Sequence, residues 1–355
     1  MYLPEAAIDV IKIFTLGTLG FLLAFWLTPF LLKQLYKYKF WKKEVREKAV
    51  DGGDLTYFKK FHSEGEVKIP RGGGILIWVS VLILIFLFYF LSKVTDIWWI
   101  DKLNFLSRSQ TWLPLFALIS ASILGLADDL LLIFGKGKYI GGGISLPKRL
   151  LMVALIGLIG ALWFYFRLDF HTLHIPGIGD LEMGLWYIPL FIIVMLAVYS
   201  GGVIDGVDGL AGGAFVFMFG AFAGISLFLG QIDIAAFCAV ILGAILAFLW
   251  NNIPPAKFYM TETGVMGLCA TLTVIAFLTD SVLVLPIIGI LLVAEAGSVF
   301  IQLLSKKFRK KKVFLAAPIH LHYEAKGWPP YQVTMRFWII GMVAAIVGLT
   351  IRLFG

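Results

Sequence analysis

The stretch Gly74-Ile-Leu-Ile-Trp-Val-Ser-Val-Leu-Ile-Leu-Ile-Phe-Leu-Phe-Tyr-Phe-Leu-Ser92 runs for nineteen residues without a charged side chain. As a helix rising 1.5 Å per residue it is about 28 Å long, close to the thickness of a bilayer's hydrocarbon core. It is continuously apolar, whereas a barrel strand would alternate over about ten residues, so it is read as a membrane-spanning helix. Similar runs lie within residues 10–32, 111–134, 149–167, 183–199, 209–230, 233–251, 263–280, 281–304 and 335–353, which makes ten in all.

Composition agrees with this reading. Of 355 residues, 60% are apolar and 15% charged, with a mean hydropathy of +0.92, values that no water-soluble domain of this length shows. The expected fold is therefore an all-α polytopic membrane protein, with residues 1–355 forming one integral membrane domain and 33–73 its longest stretch outside the bilayer. The first run has no basic segment ahead of it and no small-residue cleavage site, so it is read as a retained helix rather than a signal peptide. Cys238 and Cys269 fall inside expected helices with no metal-ligand spacing and are read as packing residues.

A formal charge of +8 raises the question of nucleic acid, but the basic residues lie between helices and not on a soluble module. Eleven Lys and Arg fall between the first and second runs, four between the third and fourth, one between the seventh and eighth, and eight over residues 306–336. The even-numbered connections hold three, one, none and none. The positive-inside rule then places the odd connections in the cytoplasm and both termini outside.

Ionisable groups beside membrane helices are costly, so each is a functional candidate. Asp128 and Asp129 end the third run, Asp205 and Asp208 lie in Asp205-Gly-Val-Asp208-Gly after the fifth, Glu262 follows the seventh, and His320 and His322 follow the ninth. All fall in odd connections, a convergence independent of the Lys and Arg used to orient the chain. Singly each has an ordinary explanation, as a solvated helix end, an Asx turn or a surface histidine. Together they suit a hard divalent cation such as Mg²⁺, which binds a few carboxylates and bridges them to substrate phosphates. Phosphoryl transfer is then the expected reaction class, on the cytoplasmic face. Glu295, inside the ninth run, is read as a buried hydrogen-bonding group.

Five ordered motifs carry a resemblance over nearly the whole chain. They are Pro70-Arg71-Gly72-Gly73-Gly74, Asp128-Asp129, Asp205-Gly-Val-Asp208-Gly-Leu-Ala, Asn252-Ile-Pro-Pro-Ala-Lys-Phe-Tyr-Met, and Ala317-Pro318-Ile-His320-Leu-His322-Tyr-Glu324. The pattern resembles the polyprenyl-phosphate N-acetylhexosamine-1-phosphate transferases, and among them the branch that transfers phospho-MurNAc-pentapeptide. That resemblance implies ten helices, a homodimer in the cytoplasmic membrane, and Mg²⁺-dependent transfer from UDP-MurNAc-pentapeptide to undecaprenyl phosphate, yielding lipid I and UMP. It implies that Asp128 and Asp129 handle the lipid phosphate, with Asp128 as base, that Asp205 serves catalysis or metal binding with Asp208 in support, and that Glu262 is a metal ligand. It places Tyr259 on uracil and His320 and His322 near phosphate or muramoyl groups. Asn252, Lys148, Arg149 and Lys68 join them as substrate-binding candidates. Between direct attack by the lipid phosphate and a covalent carboxylate intermediate, direct attack needs less.

The sequence also departs from the family. Glu262 stands where the family has Asp, Thr261 where it has Gly, Tyr199 and Gly202 where it has Asn, and Leu321 where it has the middle histidine of three. Three other readings therefore stay open at the level of sequence: a relative that transfers GlcNAc-1-phosphate, a homologue that binds without turnover, and a secondary transporter. The last would put its ionisable groups near the midplane on broken helices.

Overall fold

The computed structural model describes residues 4–42, 67–106, 109–135 and 143–355. Residues 43–66 of the expected 33–73 connection lie outside them. Among the described residues, nine helices are long and apolar enough to cross a membrane. In chain order the helices are α1 (Glu5–Lys37), α2 (Gly74–Val94), the short α3 (Trp98–Leu103), α4 (Ser109–Ile133), α5 (Leu146–Arg167), α6 (Tyr187–Ser200), α7 (Leu210–Phe228), α8 (Ile232–Asn252), α9 (Thr261–Leu278), α10 (Leu285–Ile288), α11 (Ile290–Arg309), α12 (Ile319–Ala325) and α13 (Pro330–Phe354). A two-stranded hairpin, β1 (Thr172–Ile175) and β2 (Gly179–Glu182), precedes α6, with His174 opposite Asp180.

Burial ranks the helices from centre to rim. Nearly every residue of α9 is buried, and α8 is almost as enclosed, so these two form the axis of the bundle. On α1, α5 and α13 only one stripe is buried, and Phe14, Trp26, Phe166 and Met335 face outward, as lipid-facing helices require. Small residues let the central helices meet backbone to backbone. A methyl group on Gly125 of α4 would collide with the Glu262 and Thr263 backbone of α9, and one on Gly74 of α2 would collide with Gly264. Both contacts are at the end of α9 that carries Glu262, so they set the floor of the site described below.

The expected span 281–304 is not a single helix. The structure breaks it at Gly289 into α10 and α11, and α11 fails the test of length and apolarity that the other nine pass. The reason is charge: Glu295 lies within the helix and Lys306, Lys307 and Arg309 fill its last turn, while Leu291, Leu292, Glu295, Ser298, Gln302 and Ser305 recur at helical spacing on its buried face and Val293, Phe300, Leu304 and Phe308 face out. An apolar count over the window averages these two faces and hides the polar one.

The ends of α8 and α9 define two faces of the bundle. Asp233 and Asn252 lie at opposite ends of α8, nineteen residues and about 28 Å apart. In α9 Glu262 begins the helix, and Asp280 follows its far end.

Candidate active site

The centre of the site is the start of α9. A helix N-terminus leaves its first backbone N–H groups without partners inside the helix and carries partial positive charge. Here two carboxylates from other segments take those donors. The Thr261 N–H donates to Asp205 Oδ2 at 2.7 Å, and the Thr263 N–H donates to Asp129 Oδ2 at 3.1 Å. Asp129 also accepts the Thr261 hydroxyl at 2.6 Å, and the Arg71 guanidinium faces its other oxygen at 3.4 Å. With no exposure at all, Asp129 is fixed from three sides.

Asp128, its neighbour on α4, takes a separate set of partners. Its Oδ1 accepts the Ile144 N–H at 2.5 Å and its Oδ2 lies 3.6 Å from Arg149 Nη1. The same Arg149 nitrogen lies 2.5 Å from Glu262 Oε1. Arg149 thus bridges the last turn of α4 to the first turn of α9. Lys148, one residue away and turned about 100° around α5, is exposed and outside this set of contacts.

Asp205 stands at the end of a 3-10 turn, Gly201–Ile204, that follows α6. Burial pushes its carboxyl up to about 6, against the opposing pull of the Thr261 N–H and Arg71, with Asp129 and Asp208 adding to the rise. His320 lies against the next residue: a methyl on Gly206 would run into its Nε2 edge. Its Nδ1 meets Glu295 Oε2 at 2.9 Å, both residues being buried. Burial alone would lower the pKa of His320, but the charge and hydrogen bond of Glu295, with Glu324 and Asp205, outweigh it and raise it above the ordinary imidazole value. Glu295 makes the buried hydrogen bond expected of it, and through that bond it orients a site residue.

Other expected site residues have organising positions. Asp208 Oδ2 accepts the Ala256 N–H at 3.0 Å. Asn252 accepts from the Gly209 N–H at 3.0 Å and donates to the Phe258 carbonyl at 2.9 Å. They lock the 205–209 loop to the 252–258 loop. Tyr259, half-buried, is pinned by its backbone, donating to Pro70 and accepting from Gly73. His322 sits apart from the carboxylates: its Nδ1 accepts the Leu315 N–H at 3.2 Å and its ring lies edge-on to Phe314 and Tyr323. Partial burial and Lys326 lower its pKa. Lys68 is exposed beside the Pro70 turn. Motif reading missed Thr261 as a site residue and left Arg71 without a role. A left-handed φ of +58° at Thr261 and the aim of the Arg71 guanidinium are tertiary facts.

Two comparisons bear on this arrangement. Residues 111–280 match the family described as glycosyl transferase family 4. The chain is 35% identical over 341 residues to a phospho-N-acetylmuramoyl-pentapeptide-transferase of a Geobacillus species, covering 94% of this chain and 96% of the relative. It is 35% identical over 303 residues to the enzyme of the same name in Chloroflexus aurantiacus, covering 81% and 78%, and 33% identical over 351 residues to that of Anoxybacillus flavithermus, covering 97% and 98%. The chain belongs to the phospho-N-acetylmuramoyl-pentapeptide-transferase family. It is a transferase of the glycosyl-1-phosphate type and a multi-pass membrane protein.

In this transferase the donor set fits a hard divalent cation. Four carboxylates, Asp128, Asp129, Asp205 and Glu262, outnumber two guanidiniums, Arg71 and Arg149, in a largely buried place. Such a surplus favours a cation. The four do not converge as a three-ligand cage. Among the described residues the group that does is His174, Asp180 and Asp280, at the other face. Mg²⁺ does not need one, since it binds one or two carboxylates and fills its octahedron with phosphate oxygens and water.

Proposed function

We propose that this face catalyses transfer of phospho-MurNAc-pentapeptide from its UDP donor to undecaprenyl phosphate, releasing UMP and forming lipid I. The observation that carries the reading is the pair of carboxylates held on the N-terminus of α9 and flanked by two arginines. Phosphoryl transfer needs little covalent chemistry from a protein, only positioning and charge neutralisation. An oxygen of the lipid phosphate attacks the donor phosphorus that bears the sugar. The bond from that phosphorus to the oxygen bridging the two phosphates breaks, and that oxygen leaves with UMP. A phosphate monoester with a second pKa of about 6 is already mostly dianionic at pH 7, so the attacking group asks little of a base. Asp128, beside Arg149, takes any remaining proton, and Arg149 draws the lipid phosphate to it.

Asp205 and Glu262 would hold Mg²⁺, which supplies charge neutralisation on the transferring phosphate when bound. Asp129 keeps Arg71 aimed at the site. His320, oriented through Nδ1 by Glu295, turns its Nε2 edge to a donor group beside Gly206. Tyr259, on the pinned 257–260 strand of chain, is the stacking surface for uracil. The distribution of Lys and Arg supports a cytoplasmic orientation for this face, and the reading takes the membrane to be the cytoplasmic one.

The test is release of UMP by the detergent-purified protein given UDP-MurNAc-pentapeptide, undecaprenyl phosphate and Mg²⁺, with UDP-GlcNAc in a parallel reaction. Lipid-dependent UMP from the muramoyl donor, lost in Asp128→Asn, is the expected result. Turnover of UDP-GlcNAc alone would move the substrate to the neighbouring branch, and silence with both donors would show a binding protein.

A further inference from the structure

Thr261 has an unusual place in the site. Its φ of +58° lies in the left-handed region, where glycine is at ease and a β-branched residue is not. The strain is held by three hydrogen bonds from three segments of chain. Its N–H donates to Asp205 at 2.7 Å, its hydroxyl donates to Asp129 at 2.6 Å, and the same hydroxyl accepts the Gly72 N–H at 3.1 Å. The residue is 4% exposed, so water cannot replace these partners. A hydroxyl is required for both side-chain bonds, because only a group that donates and accepts can join a carboxylate to an amide N–H.

We propose that Thr261 is a positioning residue of the transferase: it keeps the Asp129 and Asp205 carboxylates and the Pro70–Gly74 turn in one register at the head of α9. Backbone strain of this kind persists where surrounding contacts over-determine it, and it gathers at functional sites. The consequence is specific to this chain's residue. Glycine relieves the backbone and loses the register, whereas serine keeps the hydroxyl.

The inference rests on the transferase reading, and three variants of the full chain separate the two: Thr261→Ser, Thr261→Ala and Thr261→Gly. Each is assayed for UMP release with the muramoyl donor, for kcat and KM separately, and for thermal unfolding. Hydrogen bonds to charged groups of this size predict a kcat loss of about 10- to 100-fold in both T261A and T261G, with KM for the donor within about threefold. T261S recovers kcat to within about threefold of the parent. T261G unfolds at a higher temperature than T261A, because both lack the hydroxyl and only glycine is unstrained at this φ. Parental kcat in T261A or T261G would overturn the positioning role, and so would T261A unfolding above T261G. A parent chain silent with the muramoyl donor sinks the muramoyl-transfer reading instead, and the T261G and T261A unfolding temperatures still decide whether the backbone is strained.

Discussion

The two faces of the helix bundle handle charge in opposite ways. At the far face the buried Lys12 Nζ lies 2.7 Å from Asp233 Oδ1, one cation to one anion, while the partly exposed His174, Asp180 and Asp280 close a hydrogen-bonded network at the hairpin. At the head of α9, about 28 Å away along the central helices, carboxylates outnumber guanidiniums by four to two. The Lys12–Asp233 pair, matched one to one, serves the fold. A surplus of one sign serves a ligand of the other sign.

The strongest way to break this comparison is to neutralise a charge on each face. Asp205→Asn and Asp128→Asn each remove one unit of the surplus and are expected to lower kcat/KM by about 10²-fold or more, the scale for losing a group that acts on the transferring charge. Their unfolding temperatures stay at or above the parent's, since each relieves repulsion. Lys12→Met does the reverse. It removes the cation from the buried Lys12–Asp233 pair and lowers stability by about 3 kcal/mol, as breaking a buried pair does. Turnover per folded molecule stays within about twofold, because the site is remote and shares no partner. The double variant Lys12→Met, Asp233→Leu recovers most of the lost stability. Turnover that falls with Lys12→Met at full folding would remove the distinction between the faces.

Glu262→Asp is a smaller and sharper probe. The side chain loses a methylene, and with it the reach that brings Oε1 to 2.5 Å from Arg149. Turnover is expected to drop by about three- to tenfold, the size of a weakened surface-accessible ion pair at a working site. A rise above the parent would show that aspartate is the better residue here and that the bridge to Arg149 restrains the enzyme.

What the sequence made legible follows from what the bilayer demands. A span must be apolar along its whole length, so nine helices could be read from hydropathy, and the acids that violate that rule stood out at Asp128, Asp205 and Glu262. The 281–304 break was hidden because it falls at Gly289, a single glycine inside an apolar run. At Lys148 and Arg149 the sequence offers two adjacent cations, and only the rotation of α5 decides that Arg149 meets Asp128. Thr261 looked like a bare departure from glycine. Its φ and its three partners come from segments up to 189 residues apart, so no local pattern carries them.

The smallest expected effect concerns Asp280, at the far face. Its Oδ1 accepts the His174 N–H at 3.2 Å. Burial raises its pKa above 3.8, opposed by that hydrogen bond, by His174 and by Arg352, and reinforced by Asp180. A carboxyl with a raised folded-state pKa binds more protons folded than unfolded in the window that begins near 3.8 and extends upward. Its contribution to stability is therefore full below that window and is lost as the pH rises through it. Asp280→Asn keeps the acceptor oxygen and removes the titration. In unfolding temperatures taken from pH 3.5 upward in steps of about half a unit, the parent should fall relative to D280N through this window and run parallel to it above. The half-buried carboxyl is partly screened by water, so the divergence is small. A parent that gains on D280N as the pH rises would mean that the far-face network stabilises ionised Asp280, and that its charges are matched more tightly than this geometry implies.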